Sequence, residues 1–314
     1  MPSEPPPDAA GARRRRSGMA QGVGAYLWWG FMPLYFPLLV PAGPVEIIAH
    51  RVVWSLLVCL ALLQVTRGWD GVRAVLRSRR TFATLAVAAV LVATNWLVFV
   101  FGVLTGHTVD AALGYYINPL FTVALAVLGL GERLRPAQWV ALGTGATAVV
   151  VLSVGTGRVP WIALVLAATF GLYGFLKNRV GRTVPAVTSL AVETAVLAPV
   201  AAGYLGWLAA SGSGTFAAYG TPHALALASA GVVTTVPLLL FGGAARRLPL
   251  SVVGMLQYLT PTVQFALGVV IFGEAMPAAR WAGFALVWLA LVLLTVDGVR
   301  AARTPARAPV AVSR

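Results

Sequence analysis

Part of this chain occurs twice. Slid by 142 positions, residues from about 111 to about 152 fall without a gap on residues from about 253 to about 294. Tyr116 meets Tyr258, Pro119 meets Pro261, Leu125 and Val127 meet Leu267 and Val269, Gly131-Glu132 meets Gly273-Glu274, and Trp139 meets Trp281. A polar stripe recurs in place: Tyr115, Asn118, Pro119 and Thr122 answer to Gln257, Thr260, Pro261 and Gln264. The spacing i, i+3, i+4, i+7 is one face of a helix. Two apolar helices, each with a central proline and a polar stripe, are therefore predicted at matching places in two half-chains.

What surrounds the repeat decides its solvent. The chain is 59% hydrophobic and 10% charged, where a soluble domain carries about 25% charged residues. That composition requires a bilayer. The formal net charge of +14 sits in short runs between apolar spans, which is how topology determinants are placed, and leaves no basic domain for a nucleic acid. Cys59 is the single cysteine, so neither an intrachain disulfide nor a thiolate metal site is available.

A spanning helix needs about 20 mainly apolar residues. Ten such stretches are predicted, at 20–40, 45–66, 81–102, 108–130, 136–155, 160–178, 186–208, 222–242, 249–272 and 277–296, joined by short loops except a basic one at 67–80 and a Gly/Ser-rich one at 209–221. Residues 1–19, Pro-rich and then basic through Arg13 to Arg16, read as a disordered cytoplasmic N-terminus, and 297–314 as a basic cytoplasmic tail. Met19 is a second candidate start. The first span is too long for a secretion-signal core and lacks a small-x-small cleavage site, so it reads as an uncleaved helix. With the N-terminus inside, twenty of the 23 lysines and arginines fall on the cytoplasmic side; Arg158 and Arg280 fall outside, and Arg51 within a span. Both termini are then cytoplasmic. Five helices per half is an odd number, so the repeats 20–155 and 156–296 cross the membrane in opposite senses. This is the inverted-topology architecture that supports alternating access.

Each candidate site residue has two readings. The prolines remove a backbone hydrogen bond and open their helices. Asn118, Gln257, Thr260 and Gln264 then face a wet central cavity, with Tyr115, Tyr116 and Tyr258 adding aromatic faces and hydroxyls. Alternatively, Pro119 and Pro261 are kinks and the polar groups are interhelical glue. Asn95 and Trp96, mid-helix in the third span, either line the same cavity or supply one hydrogen bond and a packing ring. Arg51 is the one full charge deep in the outer half, where burial costs about 2.5–3.5 kcal/mol on insertion scales. Glu193 in the seventh span is its nearest candidate partner, although their backbones differ in depth by about 9 Å. Without that pair, Arg51 snorkels outward or attracts an anionic group, and Glu193 is hydrogen-bonded in its neutral form or carries a coupling proton. Glycines such as Gly143 and Gly145 read as close-packing surfaces. Glu132 and Glu274, at helix ends, read as caps of the following helix or partners of a nearby arginine.

Enzyme signals are absent. Gly212-Ser213-Gly214 lies in a loop without strand-turn-helix context, the three histidines have no metal-binding spacing, and no Gly-rich phosphate loop is present for ATP.

Thr94-Asn95-Trp96, followed by Gly114-Tyr115-Tyr116-Ile117-Asn118-Pro119, resembles the RarD family of EamA-type transporters in the drug/metabolite transporter superfamily. Glu46-Ile47-Ile48-Ala49-His50-Arg51, Phe170-Gly171-Leu172-Tyr173-Gly174, Pro237-Leu238-Leu239-Leu240-Phe241 and Gln257-Tyr258-Leu259-Thr260-Pro261 extend the likeness from Gln21 to about Val296. The resemblance implies a ten-helix bacterial inner-membrane permease, with export as the usual direction. Together with the residues it leads to three expectations. The fold is an all-α integral membrane protein of two inverted five-helix repeats. The function is secondary transport of a small organic metabolite or amphiphilic drug, or else a non-transporting membrane scaffold. No cofactor is expected, and the partners are a small-molecule substrate and the lipid bilayer, with a homo-oligomer compatible but not required.

Overall fold

The computed structural model describes residues 7–130, 134–180 and 183–303, and every regular element among them is a helix. The elements are α1 (Pro7–Tyr35, continued by a 3-10 turn over Phe36–Leu39), α2 (Pro44–Thr66), α3 (Trp69–Arg77), α4 (Arg79–Leu104), α5 (Thr108–Leu130) and α6 (Pro136–Thr156). They continue as α7 (Trp161–Val180), α8 (Ala186–Ala210), α9 (Gly220–Ala245), α10 (Leu250–Leu256), α11 (Leu259–Ala266, continued by a π turn over Leu267–Ile271) and α12 (Ala278–Arg303). Among the described residues, seven helical stretches are long and apolar enough to cross a membrane: α2, α4, α6, α8, α9, the run Val252–Ile271 and most of α12; α7 adds a shorter apolar one. This is an all-α membrane protein.

Local chemistry sets the helix ends. Pro44 and Pro136 open α2 and α6, where a missing N–H costs nothing. Ser78 opens α4, its Oγ accepting from Thr81 N at 3.3 Å. Gly157, at φ +69°, closes α6 in the left-handed region.

The structure departs from the sequence reading in four places. Residues from Pro7 onward are helical rather than disordered, because Ala and Arg are strong helix formers and the helix of the first span extends outward through them. The basic loop 67–80 contains α3, a short amphipathic helix braced by an Asp70–Arg73 pair at 2.9 Å, with Val75 buried beside Leu85 and Val192. The ninth span is broken between α10 and α11 at Gln257-Tyr258. Pro261 explains the position: it has no N–H for the carbonyl four residues back, which is that of Gln257, and its ring crowds that carbonyl. Pro119, its twin, lies inside an unbroken α5, so only one of the two prolines breaks its helix.

Two compact units result, residues 1–115 with 161–275 and residues 116–160 with 276–314. Each draws helices from both halves of the sequence, so the compact units are not the repeats. In the larger unit α2 packs on α8 and α9, α4 on α7 and α8, and α1 on α9 and α11. Its core holds Phe36, Leu39, Ile47, Phe99, Leu166 and Leu227. Close approach depends on small residues: a Cβ on Gly114 would stand 2.7 Å from the Ala163 carbonyl oxygen. In the smaller unit α6 packs along α12, and a Cβ on Gly283 would collide with Leu152. Gly145 is a close-packing position, its added Cβ falling 2.6 Å from Leu120 Cδ1, whereas Gly143 faces open space and is not.

Candidate functional site

Two clusters of buried polar groups in the larger unit hold candidate site residues. The first is built around Arg51 on α2, which is only 4% exposed. Its Nε donates to Thr234 Oγ1 on α9 at 2.7 Å, and its guanidinium lies 4.1 Å from the Trp96 ring centroid on α4. Its Nη1 has no hydrogen-bond partner. The adjacent residue on α4, Asn95, is fully engaged: its amide donates to Leu166 O at 3.1 Å and Thr169 Oγ1 at 2.9 Å, and its Oδ1 accepts from the Tyr115 hydroxyl at 3.0 Å. The Tyr115 ring is held edge-on between Phe99 and Phe170. Near the 3-10 turn, the Tyr35 hydroxyl donates to Ala226 O at 2.7 Å and meets Ser229 Oγ at 3.0 Å.

The second cluster surrounds Glu193 on α8, which is 1% exposed. Lys177 Nζ lies 2.7 Å from its Oε1, Ser189 Oγ donates to the same oxygen at 2.9 Å, and the Tyr173 hydroxyl donates to Oε2 at 3.2 Å. Lys177 also donates to Ser189. Glu193 therefore does not pair with Arg51. The reason is depth and proximity: Lys177, in the last turn of α7, reaches Glu193 directly. By sequence Lys177 is one of the twenty basic residues on the cytoplasmic side, at the end of the sixth apolar run. Sequence spacing alone gave no sign that it folds back onto α8.

The second polar stripe secures α11 to α1. Thr260 Oγ1 donates to Tyr26 O at 2.8 Å and Gln264 Nε2 to Trp29 O at 3.2 Å, leaving Gln264 Oε1 buried without a partner. Gln257 sits at the α10–α11 break, Tyr258 beside it, and Pro261 is buried one turn on. The smaller unit holds the rest of the first stripe. There the Tyr116 ring meets Phe284 and Trp288 edge-on, at 6.3 and 6.2 Å, and Asn118, next to Pro119, keeps Oδ1 buried and unpartnered. The stripes are thus divided between the compact units, with Tyr115 in the larger and Asn118, Pro119 and Thr122 in the smaller.

Glu274 caps a helix other than the expected one. Its Oε1 and Oε2 accept from the backbone amides of Thr108 and Val109, at 2.5 and 3.0 Å, so it caps α5 rather than α12. Glu132, Arg133, Arg182 and the tail beyond 303 lie outside the described residues.

Comparison with known proteins places this geometry. Residues 16–154 match the family described as EamA-like transporter family. The chain is 53% identical to Protein RarD of Streptomyces exfoliatus, over 92% of this chain and 91% of that one. It is 43% identical to an uncharacterized transporter of Vibrio cholerae, over 96% and 98%. A solved crystal structure aligns with a TM-score of 0.58 at 20% identity, over 91% of this chain and 99% of its own, and at that identity supports the fold alone. With relatives this similar over nearly their whole length, the chain belongs to the RarD family of EamA-like transporters and is a multi-pass membrane transporter, not an enzyme.

Proposed function

We propose that this chain is a secondary-active permease that exports a small organic metabolite or amphiphilic drug. It works by alternating access between inverted five-helix repeats at 20–155 and 156–296, with ten spans and both termini cytoplasmic. The observation that carries the reading is the duplicated proline-and-polar stripe. A shift of 142 places Pro119 on Pro261 and Asn118 on Thr260, and prolines with polar neighbours at matching places in two halves point to a transport site in a membrane protein, although only the second of these helices is interrupted. The break at Gln257-Tyr258 supports it, since irregular backbone at membrane depth is tolerated where it lines protein or a cavity. Asn95, Trp96, Tyr115, Tyr116, Asn118, Gln257, Tyr258, Thr260 and Gln264 are the proposed substrate contacts. Buried Glu193, held by Lys177 and Tyr173, is the proposed carrier of a coupling proton.

A scaffold is the second reading. It is favoured by the hydrogen bonds that Asn95, Thr260 and Gln264 spend on the backbones of neighbouring helices. A ligand-dependent thermal-shift screen on detergent-purified protein separates the two, run beside a Tyr115→Ala/Gln257→Ala variant and followed by proteoliposome flux. A compound that stabilises the parent but not the folded variant, and crosses only liposomes carrying the parent, supports the permease. A variant that merely loses baseline stability, with no compound bound or moved by the parent, supports the scaffold.

A further inference from the structure

Arg51 is a buried cation without a counterion. Arginine cannot shed its proton in a protein, and a charge removed from water requires either an opposite charge or a full set of hydrogen bonds. Arg51 has neither. Thr234 satisfies Nε, the Trp96 ring covers one face of the guanidinium, and Nη1 is unpartnered although the residue is 4% exposed. The two buried glutamates of the same unit are committed elsewhere. Glu46 accepts from Thr215 N at 2.7 Å and Thr215 Oγ1 at 3.0 Å, and Glu193 pairs with Lys177 at 2.7 Å. Among the described residues no carboxylate lies within ion-pair distance of Arg51.

We propose that the missing counterion is the substrate: the carboxylate of a small organic acid, bound by the free edge of the Arg51 guanidinium. This rests on the permease reading and specifies its substrate class. Three features of the cluster define the ligand. A single guanidinium with one unused nitrogen matches a monoanion, since a phosphate dianion would call for more than one cation. The guanidinium is already stacked on Trp96 and held at Nε, so its orientation is set before the ligand arrives and little ordering cost remains. Its surroundings are aromatic, with Trp96 against it and Phe99, Tyr115 and Phe170 ring to ring nearby on the same framework, so the acid has an apolar or aromatic body rather than a second charge. Arginine in this role is not replaceable by lysine, whose ammonium neither stacks on the ring in this way nor presents a planar edge.

The test uses the full-length protein in detergent and in liposomes, with phenylacetate and phenylpropionate as probes. Their neutral amides and phenylalanine are the comparisons. The expected result is that the acids stabilise and are transported by the parent, that the amides bind at least about tenfold more weakly, and that Arg51→Gln removes this preference. Phenylalanine tests for a second, anionic subsite that would take its ammonium group: binding as tight as the acids' would overturn the assignment to a simple carboxylate. Arg51→Lys is expected to behave like Arg51→Gln; full retention by the lysine variant would refute the need for the stacked planar fork. Acid against amide in the parent needs no variant, so the proposal stays testable even if Arg51→Gln fails to fold. If acids and amides bind and cross equally well, the carboxylate assignment is wrong and the permease reading stands. If neither binds nor crosses while other classes of solute do, the same conclusion holds; if no solute of any class binds or crosses, both readings fall.

Discussion

Asn95→Leu is the perturbation that most directly separates packing from ligand contact. The amide makes three hydrogen bonds inside the larger unit, two donated to Leu166 O and Thr169 Oγ1 and one accepted from Tyr115. Interhelical hydrogen bonds in membranes average about 0.6 kcal/mol each, so the three together amount to about 2 kcal/mol. Their loss is uneven. Leu166 O remains available to its own helix, and Thr169 Oγ1 also donates to Val165 O at 2.6 Å, so neither is stranded. The Tyr115 hydroxyl loses its acceptor, and an orphaned buried donor costs about 1–3 kcal/mol. The expected destabilisation is therefore about 2–4 kcal/mol, most of it passing through Tyr115. Adding Tyr115→Phe to Asn95→Leu should then cost less than the sum of the single variants, because both partners of the bond are gone. Equilibrium unfolding in mixed detergent reads both quantities. An Asn95→Leu variant within about 0.5 kcal/mol of the parent that nevertheless loses all transport would refute the packing role and leave the amide as the substrate contact proposed above.

Lys177→Met should destabilise more than Lys177→Met/Glu193→Gln, since a lone buried carboxylate is worse than a neutral one; denaturant midpoints of the two variants give the comparison. With Lys177 itself partly exposed, the single variant should cost less than the 3–5 kcal/mol of a fully buried pair. In the smaller unit Gly283→Ala should cost about 1–3 kcal/mol by overpacking against Leu152, and Leu152→Ala in the same chain should recover part of it, as measured by thermal unfolding. Glu274→Ala should cost about 1 kcal/mol as a lost helix cap and should speed amide exchange at Thr108 and Val109 while leaving the start of α12 unchanged.

Much of the architecture was legible because a bilayer imposes length. A stretch such as 186–208 must be helical once it is apolar and long enough, and α8 occupies Ala186–Ala210. Local signals were uneven: Pro44 after Gly43 starts α2, whereas Pro261 breaks its span and Pro119 does not, so a proline by itself does not tell a break from a tolerated position. The polar N-terminal stretch and loop 67–80 are helical despite their low hydropathy, because Ala, Arg and a single buried Val75 are enough to make a helix.

The amino-acid order by itself determined the solvent, most of the long apolar helices, the duplication and the family, all of which depend on composition, period and local stereochemistry. Only the tertiary structure decided which charge meets which. Lys177 rather than Arg51 neutralises Glu193, Trp96 covers the guanidinium that has no carboxylate, and Glu274 caps a helix more than 160 residues earlier in the chain. The physical reason is range. Helix formation is settled within a few residues, whereas an ion pair is settled by the distance between side chains on different helices, which only packing fixes.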